Sequence, residues 1–164
     1  MSTIDQQSDL RGLAAKLAPA DRLLGIDLGT KTIGLSLSDT QRRIATPLKT
    51  LKRTKFKENA LELTEVLEQH NVGGVIIGLP LNMDGSSGPR VQATKAFAKN
   101  FQIVVNVPIV FWDERLSTVA VTRTMLEADL SRKRRGELVD KMAAAYILQG
   151  ALDYLDQNPV NSPD

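Results

Sequence analysis

Two stretches constrain the fold most: "LLGIDLGTKTIGLSLSD" (Leu23–Asp39) and "RIATPLKTL" (Arg43–Leu51). In the first, Leu24, Ile26 and Leu28 alternate with Gly25, Asp27 and Gly29. After a Gly-Thr-Lys turn, Ile33, Leu35 and Leu37 alternate with Gly34, Ser36 and Ser38. A period of two is that of a half-buried strand. The second stretch reads as a third strand, and Pro47 suits an edge because proline cannot donate to a ladder. Links this short make an antiparallel meander. The period then changes. Ala60, Leu63 and Leu67 fall at helical spacing between Lys57 and His70, and "NVGG" stops the helix. "VGGVIIGLP" is a continuous apolar run, as in a strand buried on both faces. "GPRVQATKAFAKNF" is a second helix opened by Pro89, and "PIVFWDER" a fifth strand. Ser117 caps a third helix, "TVAVTRTMLEADL", and "SRKRRGELVD" leads into a last one through Leu155. Strands separated by helices run parallel through right-handed crossovers. The order β-β-β-α-β-α-β-α-α predicts an α/β fold with a mixed five-stranded sheet flanked by helices.

A chain of 164 residues suits one domain. We expect residues 1–20 to be a flexible, polar extension with a short helix near Asp9–Leu17. Residues 21–156 form the domain, and 157–164 a fraying tail. The absence of cysteine excludes disulfides and thiolate chemistry. There is no signal-peptide pattern at the start and no apolar run of the roughly 18 residues a membrane span needs, so a cytoplasmic location is expected. The 21 basic and 19 acidic side chains nearly cancel. The charge sum therefore does not point to nucleic acid, but its distribution matters more. Lys49, Lys52, Arg53, Lys55 and Lys57 form one run, and Arg132, Lys133, Arg134 and Arg135 a second. Such runs are usually solvated faces. The second, however, lies just before Asp140, so a polyanion held there would pass near a carboxylate.

Acids at three places stand out. Asp27 sits in a strand where a core residue is expected, among glycines and serines that leave room for a ligand. The bland alternative is an acid bonded to turn amides. Asp113 and Glu114 end the fifth strand, where open α/β sheets place their ligands. Arg115 beside them is either a structural partner or a phosphate contact. Asp140 shares a helix face with Ala144, Ile147 and Ala151. A carboxylate on that stripe must be paired, for instance to Lys31 or Arg115, hydrogen-bonded, or bound to metal. Acids from three separate elements repel one another, and a divalent cation removes that cost. Oxygen donors suit Mg²⁺ or Mn²⁺, and two such ions support phosphodiester hydrolysis. "GLPLNMDGSSGPR" is either a phosphate-cradling loop or a turn-rich connection. His70 ends a helix, Trp112 reads as core, and Phe56 is a weak candidate for nucleic-acid contact.

At these residues the chain resembles the YqgF/RuvX family, Holliday-junction-resolvase-like proteins with the ribonuclease H fold, regarded as candidate pre-16S rRNA nucleases. The matching segments are "GIDLGTKTIGLSLSD", "VIIGLPLNMDGSSGPR", "FWDERLST" and "VDKMAAAYIL". The resemblance implies that Asp27, an acid of "DER" and Asp140 are the catalytic, metal-binding set, with Glu114 chosen and Asp113 second. It also implies Mg²⁺ or Mn²⁺ and a structured nucleic acid, pre-rRNA or branched DNA, with the ribosome as a further partner. Lys31, Arg115, Lys52, Arg53, Arg132, Lys133, Arg134 and Arg135 are the expected nucleic-acid contacts. No membrane partner is expected, and the chain is expected to be a monomer or homodimer.

Three functions compete. The first is a metal-dependent nuclease maturing the 5′ end of 16S rRNA, or resolving branched DNA. The second is a non-catalytic RNA-binding assembly factor. The third is nucleotide binding, because the first hairpin also resembles the phosphate hairpin of actin-like ATPases. Those enzymes close two comparable domains over ATP, which a chain of this length lacks.

Overall fold

A computed structural model describes residues 3–116 and 132–160. Helix α1 (Thr3–Ala15) precedes the meander β1 (Arg22–Leu28), β2 (Thr32–Ser38) and β3 (Ala45–Lys52). Then come α2 (Phe56–Gln69), β4 (Val72–Leu79), α3 (Pro89–Val104), β5 (Ile109–Asp113), a single 3₁₀ turn (Glu114–Leu116) and α4 (Arg132–Gln157). The sheet order is β3-β2-β1-β4-β5. The meander pairs antiparallel, while β4 is parallel to both β1 and β5. The mixed five-stranded sheet is the one the sequence pattern predicts, with β3 at its edge. The expected Ser117 cap and third helix lie outside the described residues, as do the side chains of Arg132, Lys133, Arg134 and Arg135.

Strand alternation sorts the core into two layers. Leu24, Ile26 and Leu28 of β1, Ile33 and Leu35 of β2, and Val75 and Ile77 of β4 meet Leu63 of α2 and Phe97 and Phe101 of α3. Leu23 of β1, Ile76 of β4, and Val110 and Trp112 of β5 face the other way, onto α4 and α1. Trp112 is therefore core, as expected. Phe56 packs edge-on against Phe97, with ring centroids 5.5 Å apart, so it belongs to the core and not to a nucleic-acid surface.

The N-terminal extension departs from expectation. It forms a 13-residue helix starting at Thr3, six residues earlier than predicted by the Asp9 start, and it is docked rather than flexible. Leu10 and Leu13 are buried against β4, β5 and α4. The docking relies on Gly74: a Cβ there would lie 2.9 Å from Leu13 Cδ2. Two leucines on an otherwise polar helix give a weak periodic signal, and the gap that receives them is made by a distant glycine.

Candidate metal-dependent nucleic-acid site

Asp27 lies on the α4 face of β1 and is almost wholly buried, at 2% exposure. Its partner across the hairpin is Gly34. On its other side, one step beyond the Ile26–Ile77 pair, is Gly78 of β4. Asp27 is thus the one side chain in a row of three positions, flanked by two glycines. Each glycine makes room for another acid. At Gly34 a Cβ would overlap the backbone carbonyl of Asp140, so α4 crosses the sheet in backbone contact there. At Gly78 a Cβ would lie 2.8 Å from Glu114 Oε1, and it would also strike Ile147 of α4. Asp140 and Glu114 therefore approach Asp27 from opposite sides.

The close approach of α4 has local causes. Ala143, Ala144 and Ala145 are buried, and so are Ile147 and Ala151, the stripe that the helical spacing assigns to the face carrying Asp140. Ser36 Oγ donates to the Ala144 carbonyl at 2.7 Å, and a Cβ on Gly25 would lie 2.9 Å from that same oxygen. Small residues on both partners let the backbones nearly touch. Asp140 itself is half-buried, and its Oδ2 accepts a hydrogen bond from Thr32 Oγ1. Thr32 stands opposite Lys52 on β3. Arg53 Nη1 donates to the Gly29 carbonyl at 2.6 Å, and the Arg53 N–H to the Lys31 carbonyl at 2.9 Å, which fixes the turn after Asp27. Lys31, Lys49, Lys52, Lys55 and Lys57 are exposed, and the backbones of Lys31, Lys52 and Arg53 adjoin Thr32 and the turn after Asp27.

The two acids of "DER" have different surroundings. Asp113 is paired with Leu79, and alternation turns it away from the face that Trp112 shares with Asp27. It is fully buried and gripped by Arg115, whose Nη2 donates to Oδ2 at 2.6 Å and Nε to Oδ1 at 3.0 Å. The Asp113 hydrogen bond and charge hold the Arg115 guanidinium firmly cationic. Glu114, one residue on, enters the 3₁₀ turn and comes back over Gly78. The Gly-rich segment does not resemble an open phosphate cradle. Its Asn82 and Gly85 N–H groups donate to the Ser86 and Asn82 carbonyls at 3.0 and 2.8 Å, and Ser86 N–H donates to Asp84 Oδ1 at 2.9 Å. His70 caps the end of α2, as expected, far along the chain from these acids.

Among the described residues, no group of three or more carboxylate, imidazole or thiol side chains is already gathered closely enough to hold a metal ion. What suits a hard divalent cation is the cradle. Two positions that a Cβ would fill flank a buried carboxylate, one beneath the Asp140 backbone and one beneath the Glu114 carboxylate, and all three acids carry oxygen donors.

The profile of the RuvX family, described as Holliday junction resolvase, matches residues 21–154. This chain belongs to the RuvX family. It is 60% identical over 147 residues to a protein of Methylocella silvestris named "Putative pre-16S rRNA nuclease", covering 90% of this chain and 91% of that one. A Rhodobacter capsulatus protein of the same name is 58% identical over 142 residues, covering 87% and 89%. Among solved structures, Thermus thermophilus RuvC bound to a Holliday junction superposes with a TM-score of 0.52 at 16% identity, over 88% of this chain and 99% of that one. Thermus thermophilus RuvC described without substrate gives 0.51 at 15%, over 87% and 99%. The fold of this RuvX chain is thus the RuvC-like ribonuclease H fold.

Several residues that shape the RuvX site were not singled out by sequence reasoning. The sequence pattern sets Gly34 among the small residues that leave room beside Asp27 and Gly78 only in a strand, whereas the structure fills the space at Gly34 with the Asp140 backbone and that at Gly78 with Glu114. Thr32 has no role in the sequence pattern, yet its hydroxyl holds Asp140. The available signal was the register itself, since glycines next to a buried acid on adjacent strands mark a place left empty.

Proposed function

We propose that this chain is a divalent-metal-dependent nuclease that hydrolyses phosphodiester bonds in structured nucleic acid, with the 5′ end of pre-16S rRNA as its substrate. The observation that carries the reading is the Gly34–Asp27–Gly78 row, with Asp140 and Glu114 admitted at its two ends. The names of relatives about 60% identical supply the substrate class. Asp27, Glu114 and Asp140 would hold Mg²⁺ or Mn²⁺, which when bound activates water and stabilises the leaving oxygen. Glu114 suits this set better than Asp113, which is turned to the other face and held by Arg115.

The chain's own residues do the rest. Asp27, set in the sheet, gives the site a rigid floor. Thr32 holds one oxygen of Asp140 and so orients the other. Lys31, Lys52 and Arg53, with Arg132, Lys133, Arg134 and Arg135 preceding Asp140, draw the phosphate backbone across the acids. Binding of that kind weakens as salt rises. We place the protein in the cytoplasm, where precursor rRNA is processed. Branched DNA is the second reading, supported by the family's description as Holliday junction resolvase.

Both readings are tested by incubating the protein with a 5′-extended 16S precursor fragment and with a four-way DNA junction, with Mg²⁺, with Mn²⁺ and with EDTA. We expect precursor cleavage that EDTA abolishes, and a loss of about 10²–10³-fold or more in Asp27→Asn. Wild-type rates in Asp27→Asn would overturn the mechanism. Cleavage of the junction alone would move the substrate to DNA.

A further inference from the structure

Arg115 lies next to Glu114, and a cation there invites assignment to a substrate phosphate. Its geometry argues otherwise. Three contacts turn the guanidinium inward: Nε to Asp113 Oδ1 at 3.0 Å, Nε to Oδ2 at 3.1 Å, and Nη2 to Oδ2 at 2.6 Å. The Arg115 N–H adds a bond to Oδ1 at 3.0 Å, so a fully buried carboxylate fixes both ends of the residue. The remaining terminal nitrogen, Nη1, donates to the Met83 carbonyl at 3.3 Å. A Cβ on Gly85 would lie 3.4 Å from that same Nη1, so the loop backbone runs directly over the guanidinium. Gly85 has φ of +87°, a conformation side chains rarely adopt, which makes that close passage possible.

The loop is stiff within itself. Asn82 and Ser86 bond each other through both backbone and side chain, and Asp84 Oδ1 accepts from Ser86 N–H and Oγ. Those Ser86 bonds, with a smaller contribution from Arg115, hold the Asp84 carboxyl below its ordinary range. A segment tied in this way moves as a unit, and Arg115 anchors it to the end of β5. It begins right after β4, whose Gly78 lies beneath Glu114. At its tip Met83 is 85% exposed, a large apolar side chain held out in water.

We propose that Arg115 is a positioning residue, a strut that ties the 80–88 loop to the end of β5 so that Met83 is presented to a base or ribose of the nucleic acid beside the reacting phosphate. Lysine keeps the charge but has neither the planar fork nor its reach across two partners. Arg115→Lys therefore separates a strut from a phosphate contact. The inference rests on the nuclease reading only for the identity of the nucleic acid.

The test uses the full chain with Asp27→Asn, so that binding is read without cleavage, and a 5′-extended 16S precursor fragment as probe. In the free protein, ¹³C-methyl NMR reports Met83. We expect Arg115→Lys and Arg115→Gln alike to narrow and shift the Met83 methyl signal, as the loop is released. Both should weaken RNA binding by roughly 10-fold, the scale of burying one large apolar side chain. Met83→Ala should weaken it similarly, and Arg115→Lys should add little on top of Met83→Ala, because both act through one contact. In cleavage assays of the Asp27 protein, KM should rise with kcat little changed. An Arg115→Lys protein with an unmoved Met83 signal and unchanged binding, beside a weakened Arg115→Gln, would overturn the strut and make Arg115 a phosphate contact. Additive losses in the double variant would overturn the role of Met83. If no substrate is cleaved at all, the methyl spectra and binding still decide the strut, while the nuclease reading alone fails.

Discussion

The two faces of the sheet are made by the same strands and are built on opposite rules. The face under α2 and α3 carries Leu24, Ile26, Ile33, Leu35 and Ile77 and receives Phe97 and Phe101, so large side chains interlock and hold the helices away from the strands. The face under α4 carries Gly25, Asp27, Gly34, Ser36 and Gly78, and α4 answers with three alanines. There the separation is set by backbone, not by side chains. The first face stabilises the fold through apolar burial. The second gives up some of that burial and lets the Asp140 backbone and the Glu114 side chain approach the strands on either side of Asp27.

The contrast can be broken on either side. The largest effect on function is expected from Gly34→Ala. The added methyl overlaps the Asp140 carbonyl, so α4 must shift; a misplacement of about 1 Å costs roughly 100-fold in rate. Cleavage rate per folded molecule, with far-UV circular dichroism to confirm folding, checks it. Phe101→Ala should act in the reverse sense. It empties a fully buried site on the α2/α3 face and should lower stability by about 3–5 kcal/mol. Its kcat below the new melting temperature should stay near wild type. Urea titration and cleavage by the remaining folded protein separate the two effects. The smallest change is Ser36→Ala, which removes the 2.7 Å bond to the Ala144 carbonyl for about 1 kcal/mol. We expect a measurable loss of stability with most activity kept. If Ser36→Ala matched Gly34→Ala in lost rate, contact at Gly34 would not be what positions Asp140.

Much of this division is legible in the sequence. The alternation in Leu23–Asp39 separates the two faces correctly, and the spacing of Asp140, Ala144, Ile147 and Ala151 predicts a helix face turned to the sheet. What the strand pattern does not reveal is what fills the spaces. Nothing local to Gly34 announces a carbonyl 106 positions later, because that contact belongs to the packing of α4. Nor does "DER" reveal that its two acids part company; that depends on where β5 ends and the 3₁₀ turn begins. The direction of the Arg115 fork is likewise set by burial of Asp113. The docking of helix α1 is missed for a related reason: it depends on two leucines and on Gly74, which belongs to a strand it does not adjoin in sequence.

The bonds from Thr32 to Asp140 and from Ser36 to Ala144 each span 108 residues. The meander, by contrast, is built from neighbours in the chain. Closing so long a loop has an entropic cost that nearby contacts avoid. The hairpin that carries Asp27 can therefore form early, while Asp140 reaches its place only once α4 has settled across strands already paired. Until that final docking the chain holds a sheet without a complete set of acids. On the nuclease reading proposed above, competence to cut would then depend on that long-range docking, and a copy without it would lack the third acid.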